Sequence, residues 1–326
     1  MPELPEVEYT ARQLRDSVIG AEIGDIQVFW ERTIGHPGAQ DFAAEVVGKR
    51  ISGVRRRGKF LLIDLLPATS TETTAATDFL SIHRRMTGNL LLLPPGWEID
   101  TSLRESDAAA WHTRGPTLLA RLTAALVTER GQPIKPSDTE YCRVCFTFSD
   151  GRRLIYTDPR KFGRVECWPL QREDEVFANL GPEPLSNDFT AGTLANALAR
   201  RKTSIKQALL DQTIVVGLGN IYADEALFAA RIHPLRRADS LTQAESAALR
   251  DSIVAALTLG IEHGGTSFSD YRGLWGEAGE NYNHVRVYQQ DGKPCIRCGT
   301  LIERRVIAQR SAHFCPTCQT LAVTVG

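Results

Sequence analysis

The chain has 326 residues, of which 42% are hydrophobic and 24% charged, so it has a globular composition and room for two domains with a small third module. Its 38 basic and 39 acidic residues nearly balance, which argues against a uniformly basic nucleic-acid-binding protein. No apolar run approaches the ~18 residues of a membrane helix, and the acidic N-terminus is not a secretory signal, so we expect a cytoplasmic protein.

The first 19 residues predict a helix. Pro5 suits its first turn, nearby glutamates suit the positive end of the helix dipole, and apolar residues recur at helical spacing. From about residue 20 to 168 the pattern changes to short apolar or alternating runs between turn signals, which predicts an antiparallel β-sandwich. The runs that we expect to be strands include residues 23–29, 59–65, 90–93, 143–148 and 153–156.

Two segments, residues 69–78 and 96–139, look like surface additions to this sandwich, the second with a helix at 117–129. Cys142 and Cys145 lie three apart in a strand-like run, which would place them on opposite faces, and both are expected to be small apolar core residues.

The second half of the chain is helical after a linker-like segment, Gly181-Pro-Glu-Pro184. Residues 205–210 and 221–228 predict two short helices joined by a glycine-containing turn. Residues 264–283 are rich in glycine, polar and aromatic residues and predict a mobile loop.

Basic residues gather in four clusters. Each one alone is best explained as a solvated face, but four of them in a chain of balanced charge favour a segregated basic surface. The clusters are Arg55, Arg56, Arg57 and Lys59; Arg84 and Arg85; Arg200, Arg201 and Lys202; and Arg304, Arg305 and Arg310.

Four of the seven cysteines have the spacing of a four-thiolate zinc site, C-x2-C, sixteen residues, C-x2-C. They are Cys295, Cys298, Cys315 and Cys318. A site closed by four sulfurs has no open coordination position, so we expect one structural Zn²⁺ rather than a catalytic one.

Pro2 follows the initiator Met1, whose removal would leave a secondary amine as the chain terminus. An α-amino group titrates near pH 7.7–8.0, so much of it is unprotonated at neutral pH. A secondary amine that attacks a sugar C1′ gives an iminium ion directly and is a capable covalent catalyst. Taken alone, however, the dipeptide is better explained as a chain that happens to begin with Met-Pro.

Eight separated motifs, which follow one another along the chain, strengthen the catalytic interpretation of Pro2. They are Met-Pro-Glu-Leu-Pro-Glu-Val-Glu at residues 1–8, Arg57-Gly-Lys-Phe60, His83-Arg-Arg-Met-Thr-Gly88, Thr157-Asp-Pro-Arg-Lys-Phe-Gly163, Leu180-Gly-Pro-Glu-Pro-Leu185, Asp211-Gln212, Gly217-Leu-Gly-Asn-Ile-Tyr-Ala-Asp-Glu225 and Gln309-Arg310. This set resembles the formamidopyrimidine-DNA glycosylases, bacterial repair enzymes that excise oxidised purines, over essentially the whole chain.

The resemblance implies an α+β fold, with an N-terminal helix plus antiparallel β-sandwich, a helical domain with a helix-two-turn-helix, and a four-cysteine zinc finger. The implied divisions are a catalytic domain at 1–168, a linker at 169–185, a DNA-binding domain at 186–290 with a lesion-recognition loop at about 264–283, and the finger at 291–326.

The resemblance also implies catalytic roles. Pro2 would displace the base and hold the sugar as a Schiff base, while Glu3 would protonate the sugar ring oxygen. Glu6 would support the site from the first helical turn. Lys59 would contact a phosphate beside the lesion and assist proton transfer, and Arg310 would grip phosphate from the zinc finger.

Further residues match the family's DNA contacts. Met86, Arg160 and Phe162 match the trio that fills the hole left by an extruded nucleotide, a step that any enzyme acting on a base inside a duplex requires. The cationic neighbours of Met86, Arg84 among them, favour a DNA-facing loop over a core. Tyr141 stands where the family usually has a DNA-contacting histidine.

The helix-two-turn-helix supplies the remaining predicted contacts. Lys206 and Asn220 match phosphate ligands, Gly219 allows a turn whose amides can grip a phosphate, and Lys202 adds a nearby positive charge.

We therefore expect a monomeric DNA glycosylase and abasic-site lyase of base excision repair, associated with the bacterial nucleoid. It would act on double-stranded DNA that contains 8-oxoguanine, formamidopyrimidines or abasic sites and would cut the strand by β,δ-elimination. The alternatives are an endonuclease VIII-like enzyme for oxidised pyrimidines and a non-catalytic zinc-finger protein that binds damaged DNA. Leu4 and the complete wedge trio favour the purine enzyme, and the intact Pro2, Glu3 and Lys59 argue against a pure binder.

Overall fold

The computed structural model has an N-terminal sandwich domain, a helical domain and a C-terminal zinc-finger hairpin. It describes residues 2–67, 75–96, 141–268 and 271–321. The helix predicted at 117–129 and most of the two predicted surface additions lie outside the described residues. No helix in the part of the chain that the structure describes is long and apolar enough to span a bilayer.

The N-terminal helix α1 spans Leu4–Val18, as the apolar spacing predicts. It begins with a capping box, in which the Glu3 side chain accepts a hydrogen bond from the backbone of Glu6 and the Glu6 side chain accepts one from the backbone of Glu3. The helix packs one apolar face into the core of the sandwich, through Val7, Ala11, Leu14 and Val18.

Two sheets form the sandwich, one with the order β1-β7-β8-β6 and one with the order β2-β9-β5-β4-β3. All neighbouring strands are antiparallel except β2 and β9, which run parallel. The strands are β1 (Ile23–Val28), β2 (Ile34–His36), β3 (Lys49–Arg57), β4 (Phe60–Pro67), β5 (Asp78–His83), β6 (Asn89–Leu93), β7 (Cys142–Phe148), β8 (Arg153–Thr157) and β9 (Arg164–Pro169).

Cys142 and Cys145 are buried core residues, but they share one small cluster with Leu91 and Leu93. The prediction that they face opposite ways is wrong, because the register between β7 and β8 shifts between Cys142 and Val144 and resets the alternation of side chains.

The helical domain follows the linker, and its two predicted short helices are present. Hydroxyl caps fix the starts of the helices at 191–198 and 243–262, since Thr190 and Thr242 each accept a hydrogen bond from the backbone of the third residue after them. The remaining elements are α2 (Ala39–Val46) in the sandwich domain, α3 (Glu173–Val176), α4 (Ala191–Leu198), α5 (Ile205–Leu210), α6 (Asn220–Ala229) and α7 (Gln243–Glu262), and the zinc-finger strands β10 (Glu303–Ile307) and β11 (Arg310–Phe314).

Residues 271–277, which we call the strap, reach from the helical domain back to the sandwich. Leu274 and Trp275 are buried in the sandwich core, and the Leu274 N–H donates to the Gln13 side chain of α1. The segment is a loop whose apolar side chains are packed into the neighbouring domain, and its predicted mobility stays a prediction.

The basic cluster at the end of β3 also joins the two domains. Arg56 is ion-paired with Glu8 of α1 and with Glu183 of the linker, and Arg57 contacts the same Glu183. Arg55 is ion-paired with other carboxylates. This cluster is consequently not part of a free basic surface.

Candidate active site

The start of α1 lies against the start of α6, and the Glu3 carboxylate joins them. Its two oxygens accept hydrogen bonds from the backbone N–H groups of Gly219 at 2.8 Å and Ile221 at 3.0 Å. Only glycine fits at position 219, because a Cβ there would lie 2.3 Å from the Glu3 Cδ. The glycine-containing turn between α5 and α6 therefore forms one wall around the second and third residues of the chain.

Glu6 supports this arrangement from one turn further along α1. Its carboxylate accepts hydrogen bonds from the Glu3 N–H at 2.7 Å, the Tyr222 hydroxyl at 2.8 Å and the Thr266 N–H at 2.7 Å. These contacts tie the chain terminus to α6 and to the segment after α7. The supporting role predicted for Glu6 agrees with this geometry.

Lys59 enters the same site from the turn between β3 and β4. Its Nζ donates to the Leu218 carbonyl at 2.7 Å, and only 8% of the residue is exposed. Burial lowers the pKa of Lys59, against an opposing effect of Glu3. Burial also raises the pKa of Glu3. The positive charge of Lys59 lowers this pKa, and the negative charge of Glu6 raises it further.

Pro2 is buried directly before this buried acid and this buried amine. A chain-terminal secondary amine here would have a proton donor with a raised pKa beside it in Glu3. This combination suits attack on an electrophilic carbon followed by proton transfer.

Two turns beside the site carry the predicted wedge residues, and buried Asp158 holds both. Its carboxylate accepts hydrogen bonds from the Thr87 hydroxyl in the first turn and from the Phe162 and Gly163 N–H groups in the second, the last two at 2.8 Å. Phe162 is 51% exposed, so its ring is accessible to a partner.

The three residues of the predicted wedge lie at the surface. Met86 is partly exposed, Arg160 is exposed, and the Arg160 guanidinium lies 4.9 Å from the centroid of the Phe162 ring. Tyr141 is also exposed, with 37% of its surface accessible, and its carbonyl accepts a hydrogen bond from the Asp158 N–H.

Arg84, by contrast, is 1% exposed, so the prediction that it faces DNA is wrong. Its guanidinium turns inward and donates to Gly88, Asn89 and Thr10. Its neighbour Arg85 is exposed and has a left-handed backbone conformation, with φ of 52°.

The predicted phosphate ligands of the helix-two-turn-helix occupy different environments. Lys202 is exposed and Asn220 is partly exposed, but Lys206 has no exposed surface. The Lys206 ammonium is ion-paired with Asp224 and donates to the Asn220 carbonyl. It therefore stabilises the start of α6 and does not reach a phosphate in this conformation.

Arg310 is exposed at the first residue of β11. Further along this strand, the His313 backbone N–H donates to Asp224 at 3.0 Å, and the Ser311 hydroxyl contacts the Asn220 amide at 3.2 Å. Asp224 of α6 thus connects this helix to the zinc-finger strand. Arg310 lies close enough to Lys59 for its positive charge to help lower the pKa of that amine.

The four predicted metal ligands converge, and their sulfur atoms lie within 4.8 Å of one another. The Sγ atoms are 3.5 Å apart in Cys298 and Cys315 and 3.9 Å apart in Cys295 and Cys318. Tetrahedral coordination with Zn–S bonds of about 2.3 Å places sulfurs about 3.8 Å apart, so the set fits one zinc ion.

Sequence reasoning assigned no role to Asp158, Tyr222 or Asp224, although all three lie inside quoted motifs. Asp158 is the second residue of Thr157-Asp-Pro-Arg, and the other two follow Asn220. An acidic residue inside an otherwise basic or apolar motif was the signal that could have identified the two aspartates.

Comparison with known protein families matches almost the entire chain. Residues 1–165 match the formamidopyrimidine-DNA glycosylase N-terminal domain, residues 180–272 match the H2TH domain of the same enzymes, and residues 292–321 match the zinc finger found in FPG and IleRS.

Individual relatives agree with this result. The formamidopyrimidine-DNA glycosylase of Herpetosiphon aurantiacus is 39% identical over 98% of this chain and 100% of its own length, and that of Symbiobacterium thermophilum is 40% identical over 98% and 89%. The Lactococcus lactis Fpg in complex with DNA containing an abasic site superimposes with a TM-score of 0.78 at 30% identity, covering 98% of this chain and 100% of that one. The same enzyme bound to DNA containing an N7-benzyl-Fapy-dG lesion gives the same TM-score at 31% identity.

Proposed function

The chain belongs to the formamidopyrimidine-DNA glycosylase family, and from that premise we propose how its own residues carry out the reaction. It is a DNA glycosylase with abasic-site lyase activity that removes oxidised purines in base excision repair. Its macromolecular partner is DNA that contains damaged or abasic nucleotides, and its finger binds one zinc ion.

In the proposed mechanism, the Pro2 nitrogen attacks C1′ of the damaged nucleotide, and the bond between C1′ and the base breaks as the base leaves. Glu3 protonates the sugar ring oxygen, which opens the ring and leaves an iminium ion between Pro2 and C1′. Successive β- and δ-eliminations then release the flanking phosphates, and hydrolysis of the iminium frees Pro2. The raised pKa of Glu3 supports its part as the acid, because more of the carboxyl stays protonated.

The DNA contacts follow from the exposed side chains around this site. We propose that Phe162 and Met86 replace the everted nucleotide in the stack and that Arg160 binds the orphaned base. Lys59 and Arg310 contact the phosphates beside the lesion, with Asn220, Lys202 and Tyr141 along the same backbone. The predicted phosphate contact of Gly219 is wrong for this conformation, because its N–H donates to the Glu3 carboxylate. Lys206 does not contact phosphate itself but positions the start of α6.

We propose that the chain divides into a catalytic domain at 1–168, a linker at 169–185, a DNA-binding domain at 186–290 and a zinc finger at 291–326. We also propose that the protein acts as a monomer at the bacterial nucleoid in the cytoplasm. The burial of the strap in the sandwich core supports a single working unit in which both domains enclose the nucleotide.

The observation that carries the mechanism is the convergence of Pro2, Glu3 and Lys59 at the contact of α1 with α6. Its test is borohydride trapping on a duplex with 8-oxoguanine opposite cytosine. We expect a covalent adduct with the unaltered chain and a loss of about 100-fold or more with Pro2→Gly. Pro5→Ala is the matched control, because it changes a proline of the same helix start without changing the terminal amine, and it should keep trapping.

The same assay separates the alternatives. Faster excision of thymine glycol than of 8-oxoguanine would favour an enzyme for oxidised pyrimidines, and stable binding of damaged DNA without any adduct would favour a non-catalytic binder. Full trapping by a chain whose terminal nitrogen is acetylated would contradict the proposed nucleophile.

A further inference from the structure

Arg84 is a fully buried arginine at the start of the turn that carries Met86. Its Nε donates to the Gly88 carbonyl at 2.8 Å, and its Nη1 donates to the Thr10 hydroxyl of α1 at 2.9 Å. Its Nη2 donates to the Asn89 side chain at 2.7 Å and to the Arg272 carbonyl at 3.2 Å. One guanidinium thus contacts the wedge turn, the helix that begins at Pro2, and the strap.

The strap makes a matching set of contacts. The Arg272 N–H donates to the same Asn89 side-chain oxygen at 3.0 Å, and the Tyr271 ring lies 5.2 Å from the Arg84 guanidinium. The Asn89 oxygen therefore accepts from the wedge turn and from the strap together. A displacement of either segment would break bonds to the other.

The charge of Arg84 is costly to bury. Among the residues that the structure describes, no carboxylate lies within ion-pair distance of it, and burial lowers its pKa. An apolar side chain would fill this interior position with no desolvation penalty. A cation held here by four hydrogen bonds and an aromatic ring therefore fixes one specific arrangement of the segments around it.

We propose that Arg84 is a positioning residue that couples the wedge turn to the strap, so that the strap, which is packed in the sandwich core, holds Met86 in the position from which it enters the duplex. The proposal rests on the proposed function, in which Met86 fills the vacated position in the stack. Arg84 touches neither DNA nor the reacting atoms, and it acts through the segments that do.

The test compares two activities of one preparation. An abasic site has no base to be turned out of the stack, whereas 8-oxoguanine does, so loss of the Met86 position should slow excision of the base more than cleavage at an abasic site. We expect Arg84→Met to lower single-turnover excision of 8-oxoguanine by about 10-fold or more while abasic cleavage changes by less than about 3-fold. Because both rates come from the same folded fraction, partial unfolding cancels in their ratio.

Two further variants sharpen the result. Arg12→Met removes an exposed arginine of α1 that pairs with Glu8, and it should leave the ratio unchanged. Asn89→Leu removes the shared acceptor, and combined with Arg84→Met it should add little to the change in the ratio, since both variants break one connection.

An equal loss of both activities in Arg84→Met, with a lower melting temperature, would reduce Arg84 to a structural residue and overturn the proposal. An unchanged ratio would overturn it as well. Neither result would affect the proposed function, which fails only if the unaltered chain does not excise 8-oxoguanine or trap on it.

Discussion

At the scale of single residues, the central feature is a carboxyl group whose acidity is set by its burial and by two charged neighbours. Burial raises the pKa of Glu3, Lys59 lowers it, and Glu6 raises it. The protonated form of Glu3 is the one that can act as an acid on the sugar oxygen. The rate of base excision should therefore fall on the alkaline side as Glu3 loses its proton.

Neutralising Lys59 and neutralising Glu6 should shift this alkaline fall in the rate, the alkaline limb of the pH profile, in opposite directions. Lys59→Met removes the positive charge that lowers the pKa of Glu3, so the limb should move to higher pH even though the maximum rate falls. Glu6→Gln removes a negative charge that raises the pKa of Glu3, so the limb should move to lower pH. Single-turnover excision of 8-oxoguanine across a pH series checks both directions, and shifts of the same sign would contradict the assignment of Glu3 as the acid.

At the same scale, burial was the property that the sequence predicted least well. The partners of Arg84, Thr10 and Arg272, lie 74 and 188 residues away, so no local pattern shows that this arginine is enclosed. Lys206 is similar, because its partner Asp224 comes from the next helix. A cationic residue is expected at the surface by default, and only tertiary contacts reveal the exceptions.

At the scale of elements, one buried aspartate organises the two turns that carry Met86 and Phe162. Asp158 accepts hydrogen bonds from both wedge turns, and the ring of Tyr156 packs against glycines in each. A Cβ at Gly163 would lie 1.6 Å from the Tyr156 hydroxyl, so the second turn can only take this path with glycine. Neither turn is held by regular secondary structure, so these contacts set the position of Phe162.

Asp158→Ala should therefore release the wedge. We expect binding of a duplex with a lesion to weaken by about 10-fold or more, together with a stability loss of about 1–3 kcal/mol from the unpaired N–H groups. Binding can be followed by fluorescence anisotropy and stability by urea unfolding. Asp150→Ala, which removes an exposed carboxylate of a neighbouring turn, is the control. Unchanged affinity in Asp158→Ala would contradict the role assigned to the two turns.

The zinc-finger hairpin is a second element whose position depends on a few contacts. Four thiolates hold its ends, and Asp224 connects β11 to Lys206 and α6. Since Arg310 lies on this hairpin, the metal and Asp224 both determine where its guanidinium is presented.

Chelation of the zinc should unfold the finger and lower DNA affinity by about 100-fold or more, while the sandwich and helical cores stay folded. Atomic absorption measures the loss of metal, circular dichroism follows the folding of the full chain, and a binding assay measures its DNA affinity. Retained DNA affinity after verified loss of the metal would contradict it.

At the scale of the whole molecule, α1 joins the domains. Its start contacts α6, its Glu8 pairs with Arg56, and its Gln13 holds the strap. The sandwich strands, the two short helices and the zinc ligands were predictable, because alternation, helical spacing and cysteine spacing are local signals. The parallel β2–β9 pair and the burial of the strap were not, because they depend on packing between distant segments.

The linker contact offers a test of this assembly. Glu183 accepts hydrogen bonds from Arg56 at 2.8 Å and from the Gly58 N–H at 2.5 Å, directly beside Lys59. Glu183→Gln should cost about 1–3 kcal/mol of stability and also slow abasic cleavage, because it loosens the Lys59 turn. Glu173→Gln, whose partner Arg55 is more exposed, should cost less than about 1 kcal/mol and leave cleavage unchanged. Urea unfolding and cleavage assays distinguish the two, and equal effects would contradict a special role for the linker.

The most direct test of the mechanism is to locate the trapped sugar by mass spectrometry. After borohydride reduction on an abasic duplex and proteolysis, the account predicts a nucleotide fragment on the N-terminal peptide that begins at Pro2, attached to its nitrogen. A fragment on the Lys59 side chain, or full activity from a chain that still carries Met1, would contradict it.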